Sequence, residues 1–269
     1  MGAGVTLVMA VLNQLELTRA CLRSLTATRE PFELVVIDNG STDGTAAFLE
    51  RWDGPFPLRV ERGGGGSVIA ALNRGWRLAE TDAVCLLHND TVMVEPTWLS
   101  RLLDALGAPG VGLAGLDGVK RVRRNGRYVG RTIVHSLADG PTVRAPWEEV
   151  AVVDGVCLCL RRAVLESVGG FDESLGFFHG YDRDLSFAVR ETGRRCVVAW
   201  APFHHRGGGT RTREFAAGPE REYEDLAQRR LALDRFVAKW RHRLPCDVRA
   251  RGERVRDWLR RRPRRSPVS

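Results

Sequence analysis

Residues Cys85-Leu86-Leu87-His88-Asn89-Asp90-Thr91 pass from apolar to polar within a single step. The run 83–87 is short, apolar and without helical period, the pattern of a strand buried on both faces. Such strands belong to parallel sheets, which bind ligands just beyond the carboxyl ends of their strands. His88 and Asp90 leave the sheet there, and an imidazole and a carboxylate so spaced can face one divalent cation. An ordinary polar turn after a strand would look the same. A second junction has more specific chemistry: the apolar run 32–37 ends in Asp38-Asn39-Gly40-Ser41-Thr42-Asp43-Gly44-Thr45. A carboxylate at a strand end, such as Asp38, can accept hydrogen bonds from a base N–H or a ribose hydroxyl. The glycines let the backbone turn tightly and approach a ligand closely.

These junctions need a scaffold, and the hydropathy pattern supplies one. Strands are expected over 5–11, 32–37, 58–61 and 83–87, and helices over 13–27, 45–52 and 67–79. Strand and helix alternate over the first hundred residues or so, which argues an α/β fold with a parallel sheet and right-handed crossovers. A helix over 98–106 and a strand over 111–117 follow. Residues 120–150 are irregular and rich in Arg and Gly, so loops and short antiparallel strands are expected. The stretch 152–162 reads as one strand leading into a helix at 163–168, and a further helix opens at Asp182 and ends near Thr192. A strand over 195–201 runs into Pro202-Phe203-His204-His205-Arg206-Gly207. A long helix over 220–244 is expected to pack through Tyr223, Leu226, Leu231, Leu233, Phe236, Val237 and Trp240. Last comes a short basic helix over 254–262.

With 269 residues, 43% hydrophobic and 28% charged, the chain can bury a large core as one domain or two small ones. No apolar stretch approaches the ~18 residues of a membrane span, and residues 1–11 lack a basic leader, so no signal peptide is expected. There is no Gly-x-Gly-x-x-Gly after the first strand and no Gly-Lys-Ser/Thr loop, so Gly63 to Gly66 is a flexible turn. The six cysteines include no Cys-x-x-Cys pair. Cys85, Cys157, Cys159 and Cys196 lie in apolar runs, which suits reduced core thiols and a cytoplasmic location. The net charge of +8 is concentrated in 239–265, with 12 basic and 3 acidic residues. That tail suits an anionic lipid surface, at the inner face of a membrane; a solvated helix face with a loose end explains it as well. Nucleic acid is not expected as a partner.

Val35-Val36-Ile37-Asp38-Asn39-Gly40-Ser41-Thr42-Asp43-Gly44-Thr45 resembles the nucleotide-binding signature of family 2 glycosyltransferases. The stretch 85–91 resembles the same family's Asp-x-Asp motif, with His88 where Asp or Asn is usual. Within the family the chain is most similar to bacterial rhamnosyltransferase-like members that build surface polysaccharides. The resemblance covers roughly 5–212. It implies a GT-A fold: a Rossmann-like, mostly parallel sheet flanked by helices, with a small antiparallel acceptor-side part. The implied nucleotide-binding half is about 1–117, the acceptor-binding half about 118–212, and 213–269 is a helical extension with the basic tail.

Several roles follow from the resemblance. The expected nucleotide-sugar residues are Val11, Asn13, Asp38, Asn39, Gly40, Ser41, Asn73 and Asn89. A Mn²⁺ or Mg²⁺ ion is expected on Asp90 with His88 and His205, the last matching the family's His-x-Gly-Gly segment. Arg206 and Arg211 are placed to neutralise phosphate. Gly180-Tyr181-Asp182-Arg183-Asp184-Leu185 resembles the family's Gly-Glu-Asp-x-Asp-Leu, so Asp182 is the implied general base. Tyr181 stands where Glu is usual. Asp184 is read as a cap or as the ion-pair partner of Arg183 or Arg190. The implied reaction is metal-assisted, inverting transfer from a nucleotide-diphosphate sugar to an acceptor hydroxyl, for example on a lipid-linked glycan. Two rival readings are a non-catalytic nucleotide-sugar-binding relative and a sugar-phosphate nucleotidyltransferase. The latter would carry a Gly-rich, Arg/Lys-containing loop after the first strand, unlike Asn13-Gln14-Leu15.

Overall fold

A computed structural model describes residues 4–129, 132–134, 146–207 and 218–260. Its first half is the expected alternation: β1 (Val5–Val11), α1 (Leu15–Leu25), β2 (Phe32–Asp38), α2 (Thr45–Glu50), β3 (Leu58–Arg62), α3 (Val68–Arg77) and β4 (Ala83–Leu87). Next come β5 (Thr91–Met93), α4 (Trp98–Gly107), β6 (Val111–Gly115), β7 (Asp117–Val119), β8 (Arg121–Val122), β9 (Thr132–Val134), β10 (Trp147–Val150), β11 (Val152–Val153) and β12 (Cys157–Arg161). The chain continues through α5 (Arg162–Val168), a 3₁₀ turn at Glu173–Leu175, α6 (Tyr181–Glu191), β13 (Arg195–Ala199) and β14 (Phe203–His205). The last elements are α7 (Pro219–Trp240), β15 (Cys246–Asp247) and α8 (Arg251–Arg260).

Eight strands form the main sheet in the order β10-β13-β6-β12-β4-β1-β2-β3. All run one way except β12 and β10, which are antiparallel to their neighbours. Alternate residues of β1 enter opposite cores. Leu7 and Met9 pack with Leu22, Leu25, Trp98 and Leu102, whereas Val8 packs with Ile69, Leu72 and Trp76. Helices therefore cover both faces, and each fully buried Val or Leu contributes about 1.5–3 kcal/mol. All six cysteines are free; Cys85, Cys157 and Cys159 lie together in the first core, with the Cys85 and Cys157 sulfurs 3.5 Å apart.

Three expectations need correcting. The stretch 152–162 is two strands: β11 joins a small sheet with β7 and β9, a turn follows at Asp154-Gly155, and only β12 enters the main sheet. The long helix ends at Trp240, and it packs through Ala232, Phe236 and Trp240. Tyr223, Leu226 and Leu231 are instead 76%, 53% and 47% exposed. Asp184 pairs with neither Arg183 nor Arg190. Its buried carboxylate accepts from Trp240 Nε1 at 2.6 Å and from Lys239 Nζ at 2.9 Å, tying α6 to α7. The Phe187 ring adds contacts with Phe236 and Trp240, with centroids 4.9 and 5.8 Å away. The basic helix spans 251–260, and residues 261–269 lie outside the described residues. Among the described residues no helix is long and apolar enough to cross a membrane.

The Asp184 junction gives a stability prediction. Asp184→Ala strands a buried indole N–H and leaves the Lys239 ammonium with Asp172 alone, at 2.7 Å. Hydrogen bonds to a charged group are worth about 1.5–3 kcal/mol each, and solvent at Lys239 screens part of that. The unfolding free energy should fall by about 2–3 kcal/mol in urea titrations; a loss within error would show that α7 docks without this contact.

Candidate active site

A cavity of about 650 Å³ opens where β1, β2 and β4 end. Val11 and Asn39 line it on one side, His88, Asn89 and Asp90 at the end of β4, and Asp154, Tyr181 and Asp182 beyond. Arg229 and Leu233 of α7 also line it, so the C-terminal extension closes part of the wall.

The loops after β1 and β2 are laced together. The Asn13 N–H donates to Ser41 Oγ at 2.8 Å, and Asn13 Oδ1 accepts from the Thr42 N–H at 2.7 Å. Asn13 and Gln14 adopt φ of 53° and 65°, a left-handed excursion that Asn tolerates better than most residues. Asp38 is 1% exposed, and its Oδ1 accepts the Ser41 N–H at 3.0 Å. Asn39 donates from its backbone to Val11 O at 2.8 Å and from Nδ2 to Gly66 O at 2.6 Å. Of the expected nucleotide residues, Val11, Asn39 and Asn89 line the cavity, while Asn13, Asp38, Gly40 and Ser41 build the loops beside it. Asn73 does neither. It is a structural bracket: Nδ2 donates to Phe171 O at 2.8 Å and to Glu173 Oε1 at 2.7 Å, and Oδ1 accepts from Phe171 N–H and Trp76 Nε1 at 2.9 Å each.

The structure brings His88, Asp90 and His205 together, one ligand atom of each within 4.8 Å of the others. Antiparallel pairing of β14 with β5 does this, setting His205 opposite Thr91 and hence beside Asp90. His205 Nε2 lies 3.2 Å and His88 Nδ1 3.9 Å from Asp90 Oδ1. His205 Nε2 is buried and, despite the short distance, has no aligned hydrogen-bond acceptor. Burial pulls the His88 imidazole below its ordinary pKa, against the charge of Asp90. Burial also pulls His205 down, but the adjacent Asp90 carboxylate more than reverses that and leaves it raised. A lone, buried nitrogen next to a carboxylate and a second imidazole is a donor set that fits a divalent cation. His204 is exposed, and Arg211 lies outside the described residues.

His88 Nε2 is 2.8 Å from the Tyr181 hydroxyl. A His88 that donates Nε2–H to Tyr181 keeps its Nδ1 lone pair toward Asp90. Burial, then the charge of Asp182, push the Tyr181 hydroxyl well above its usual pKa, so it stays protonated. Gly155 makes room for it: a Cβ there would sit 2.4 Å from that hydroxyl oxygen.

Asp182 lies in the first turn of α6, behind Gly180 at φ 77°. Backbone N–H groups of Arg183 and Gly155 point at its carboxylate. Burial nevertheless wins, reinforced by the like charge of Asp154, and its pKa is raised. Asp154 lies in a turn between two short strands whose apolar residues read along the sequence as a single strand over 152–162. The Asp-Gly dipeptide inside that apolar run was the available signal. Tyr128, Arg183 and His179 were not singled out as cavity residues either; they come from irregular segments and a helix start.

Residues 6–169 match the family described as Glycosyl transferase family 2. The chain belongs to that family. The glycosyl transferase family 2 match ends before Asp182, which lines the cavity, and before His205, which joins His88 and Asp90 beside it. The O-antigen biosynthesis protein RfbC of Myxococcus xanthus is 30% identical over 240 residues, 81% of this chain but 18% of that protein. The N-acetylglucosaminyl-diphospho-decaprenol L-rhamnosyltransferase of Mycobacterium tuberculosis is 28% identical over 273 residues, covering 89% of this chain and 88% of that one. Among solved structures, the mannosyltransferase PcManGT of Pyrobaculum calidifontis, in complex with GDP-Man and Mn²⁺, has a TM-score of 0.56 at 19% identity. That alignment covers 95% of this chain and 79% of that one, and it establishes the GT-A fold.

The Gly155–Tyr181 contact can be tested by itself. Gly155→Ala should lower stability by about 1–3 kcal/mol, the usual cost of overpacking. The same change should cost less in a Tyr181→Phe background, where the clashing oxygen is gone. Equal costs in the two backgrounds, from thermal or urea unfolding, would refute this account of Gly155.

Proposed function

We propose that this chain transfers a sugar from a nucleotide-diphosphate sugar to an acceptor hydroxyl, with inversion, in the synthesis of a surface polysaccharide or glycoconjugate. The carrying observation is one cavity lined by the laced loops after β1 and β2, by His88 and Asp90 of the cluster that His205 completes, and by the buried carboxylate of Asp182. Family membership and the activities named for the two relatives support the same reading.

In this reading Val11, Asn39 and the loop held by Asp38 receive the nucleoside. His88, Asp90 and His205 hold Mn²⁺ or Mg²⁺; two imidazoles with one carboxylate favour Mn²⁺, the ion also bound by PcManGT. A cation there supplies positive charge beside the leaving diphosphate. Asp182 accepts the proton of the acceptor hydroxyl as that oxygen attacks the anomeric carbon from the face opposite the leaving group. Its raised pKa makes it a better base than an ordinary carboxylate. We propose a lipid-linked acceptor, as the name of the mycobacterial relative suggests. The basic residues after Lys239 would hold the protein at the cytoplasmic, anionic membrane surface where such an acceptor lies.

Asp182→Asn keeps the shape and removes the proton acceptor, so transfer should fall ~10²–10⁴-fold while nucleotide affinity, read by calorimetry, stays unchanged. Retained transfer would refute the role of Asp182. The base must be deprotonated to act, so activity should fail as pH drops through the Asp182 pKa, above the ordinary carboxylate value of about 4. Asp154→Asn removes the like charge that raises this pKa. The acid limb of the pH–rate profile should then move to lower pH; a limb that stays put or rises would separate the two carboxylates.

The membrane reading has its own check. Truncation after Leu244 should abolish co-sedimentation with anionic vesicles at low salt, and unchanged co-sedimentation would discard it.

A further inference from the structure

One wall of the cavity is cationic. Arg127 and Tyr128 reach it from the segment after β8, Arg183 from α6 and Arg229 from α7. Arg183 Nε donates to the Tyr128 hydroxyl at 3.2 Å, and its guanidinium lies 4.5 Å from the Tyr128 ring centroid and 5.2 Å from that of Phe236. The guanidinium is thus set against two aromatic rings, and among the described residues its terminal nitrogens make no hydrogen bond. Neither Arg183 nor Arg127 forms an ion pair with a carboxylate among the described residues. Arg229 shares Asp225 with His179: it lies 3.8 Å from one carboxylate oxygen, and His179 Nε2 lies 2.7 Å from the other.

The cavity's own carboxylates have partners of their own. Asp90 belongs to the histidine cluster, Asp154 accepts the Val156 N–H at 3.0 Å, and Asp182 faces two backbone N–H groups as well as the charge of Arg183. Two guanidinium groups beside one tyrosine, neither in an ion pair among the described residues, form a receptor for a phosphate group. A planar fork matches its oxygens two at a time, and aromatic stacking fixes the fork beforehand. Arg183 immediately follows Asp182, so an anion held there lies beside the base.

We infer that the acceptor is a phosphate or diphosphate ester, and that Arg127 and Arg183 bind its anionic group beside Asp182. This rests on the glycosyl-transfer reading and names the acceptor's chemistry within it. Such an ester has two sources, a lipid-linked diphosphate or a freely soluble sugar phosphate.

The test uses the full chain saturated with whichever of UDP, dTDP or GDP it binds, in metal-free buffer, so the donor's own diphosphate position is filled. Calorimetry then follows binding of geranyl diphosphate, inorganic pyrophosphate and, as uncharged control, geranyl glucoside. Both anions should bind the wild type, more weakly as salt rises. Arg183→Gln and Arg127→Gln should each weaken them about tenfold, the scale of one charge-assisted hydrogen bond. Unchanged nucleotide affinity and melting temperature will show that each variant is folded. Geranyl diphosphate binding more tightly than pyrophosphate would assign the site to a lipid-linked acceptor; equal affinities would assign it to a soluble one. Anion affinities equal in wild type and both variants would overturn the inference, as would anion binding that vanishes once nucleotide is present or a glucoside that binds as well as the anions. Failure of all three nucleotides to bind, with Mn²⁺ as well as without it, would remove the donor reading and this inference with it.

Discussion

Strand β12 runs backwards between β4 and β6, and the site depends on that reversal. In a purely parallel sheet only carboxyl ends of strands, and the loops that follow them, meet at the ligand edge. A reversed strand brings its amino end there instead. The β12–β4 register sets Cys157 opposite Leu87, so the Asp154-Gly155 turn falls beside His88, whose N–H donates to Val156 O at 3.1 Å. Through that turn α6 is reached as well: the Gly155 N–H points at the Asp182 carboxylate, and the missing Cβ admits Tyr181. One antiparallel pairing thus joins the residues proposed for the donor and for the acceptor.

The same packing decides the electrostatics. Asp182 is drawn two ways: the helix start and two N–H groups favour the anion, while burial and Asp154 oppose it. Burial and the like charge win, which suits proton abstraction better than a helix N-terminus alone would. At the histidine cluster the contest falls the other way for one of two similar rings. His205, against Asp90, is raised, whereas His88, one ångström-scale step further off and hydrogen-bonded to Tyr181, is lowered. Two imidazoles in one cluster therefore hold their protons unequally without a cation.

Much of this was legible in the residues. β4 is a continuous apolar run, and β1 and β2 are nearly so, because both their faces are covered, and α1 and α3 show clean helical spacing. Asp38, His88 and Asp90 could be named because strand ends are where such sheets bind ligands. What failed was anything set by distant packing. Nothing local distinguishes Leu226, left exposed, from Phe236, fully buried; the difference is that α6 presents Phe187 opposite one turn of α7 and not the other. Asn73 reads as an available amide on a helix until Phe171 and Glu173 arrive from a hundred residues away. Asp154 was hidden by apolar neighbours that make two short strands resemble one.

His88 and Tyr181 show most clearly what spacing cannot convey. Each departs from the family pattern, one where Asp or Asn is usual and the other where Glu is usual, and along the sequence they look like two separate losses of a carboxylate. In the fold their side chains meet at 2.8 Å. A carboxylate at 181 facing a carboxylate at 88 would need a proton or a cation between them. A phenol that stays protonated, facing an imidazole, makes a neutral hydrogen bond and leaves the other ring nitrogen toward Asp90. The pair exchanges charge for a fixed ring orientation, and Gly155 is the space that exchange requires. The two side chains therefore act as one unit, and neither one's role can be read without the other.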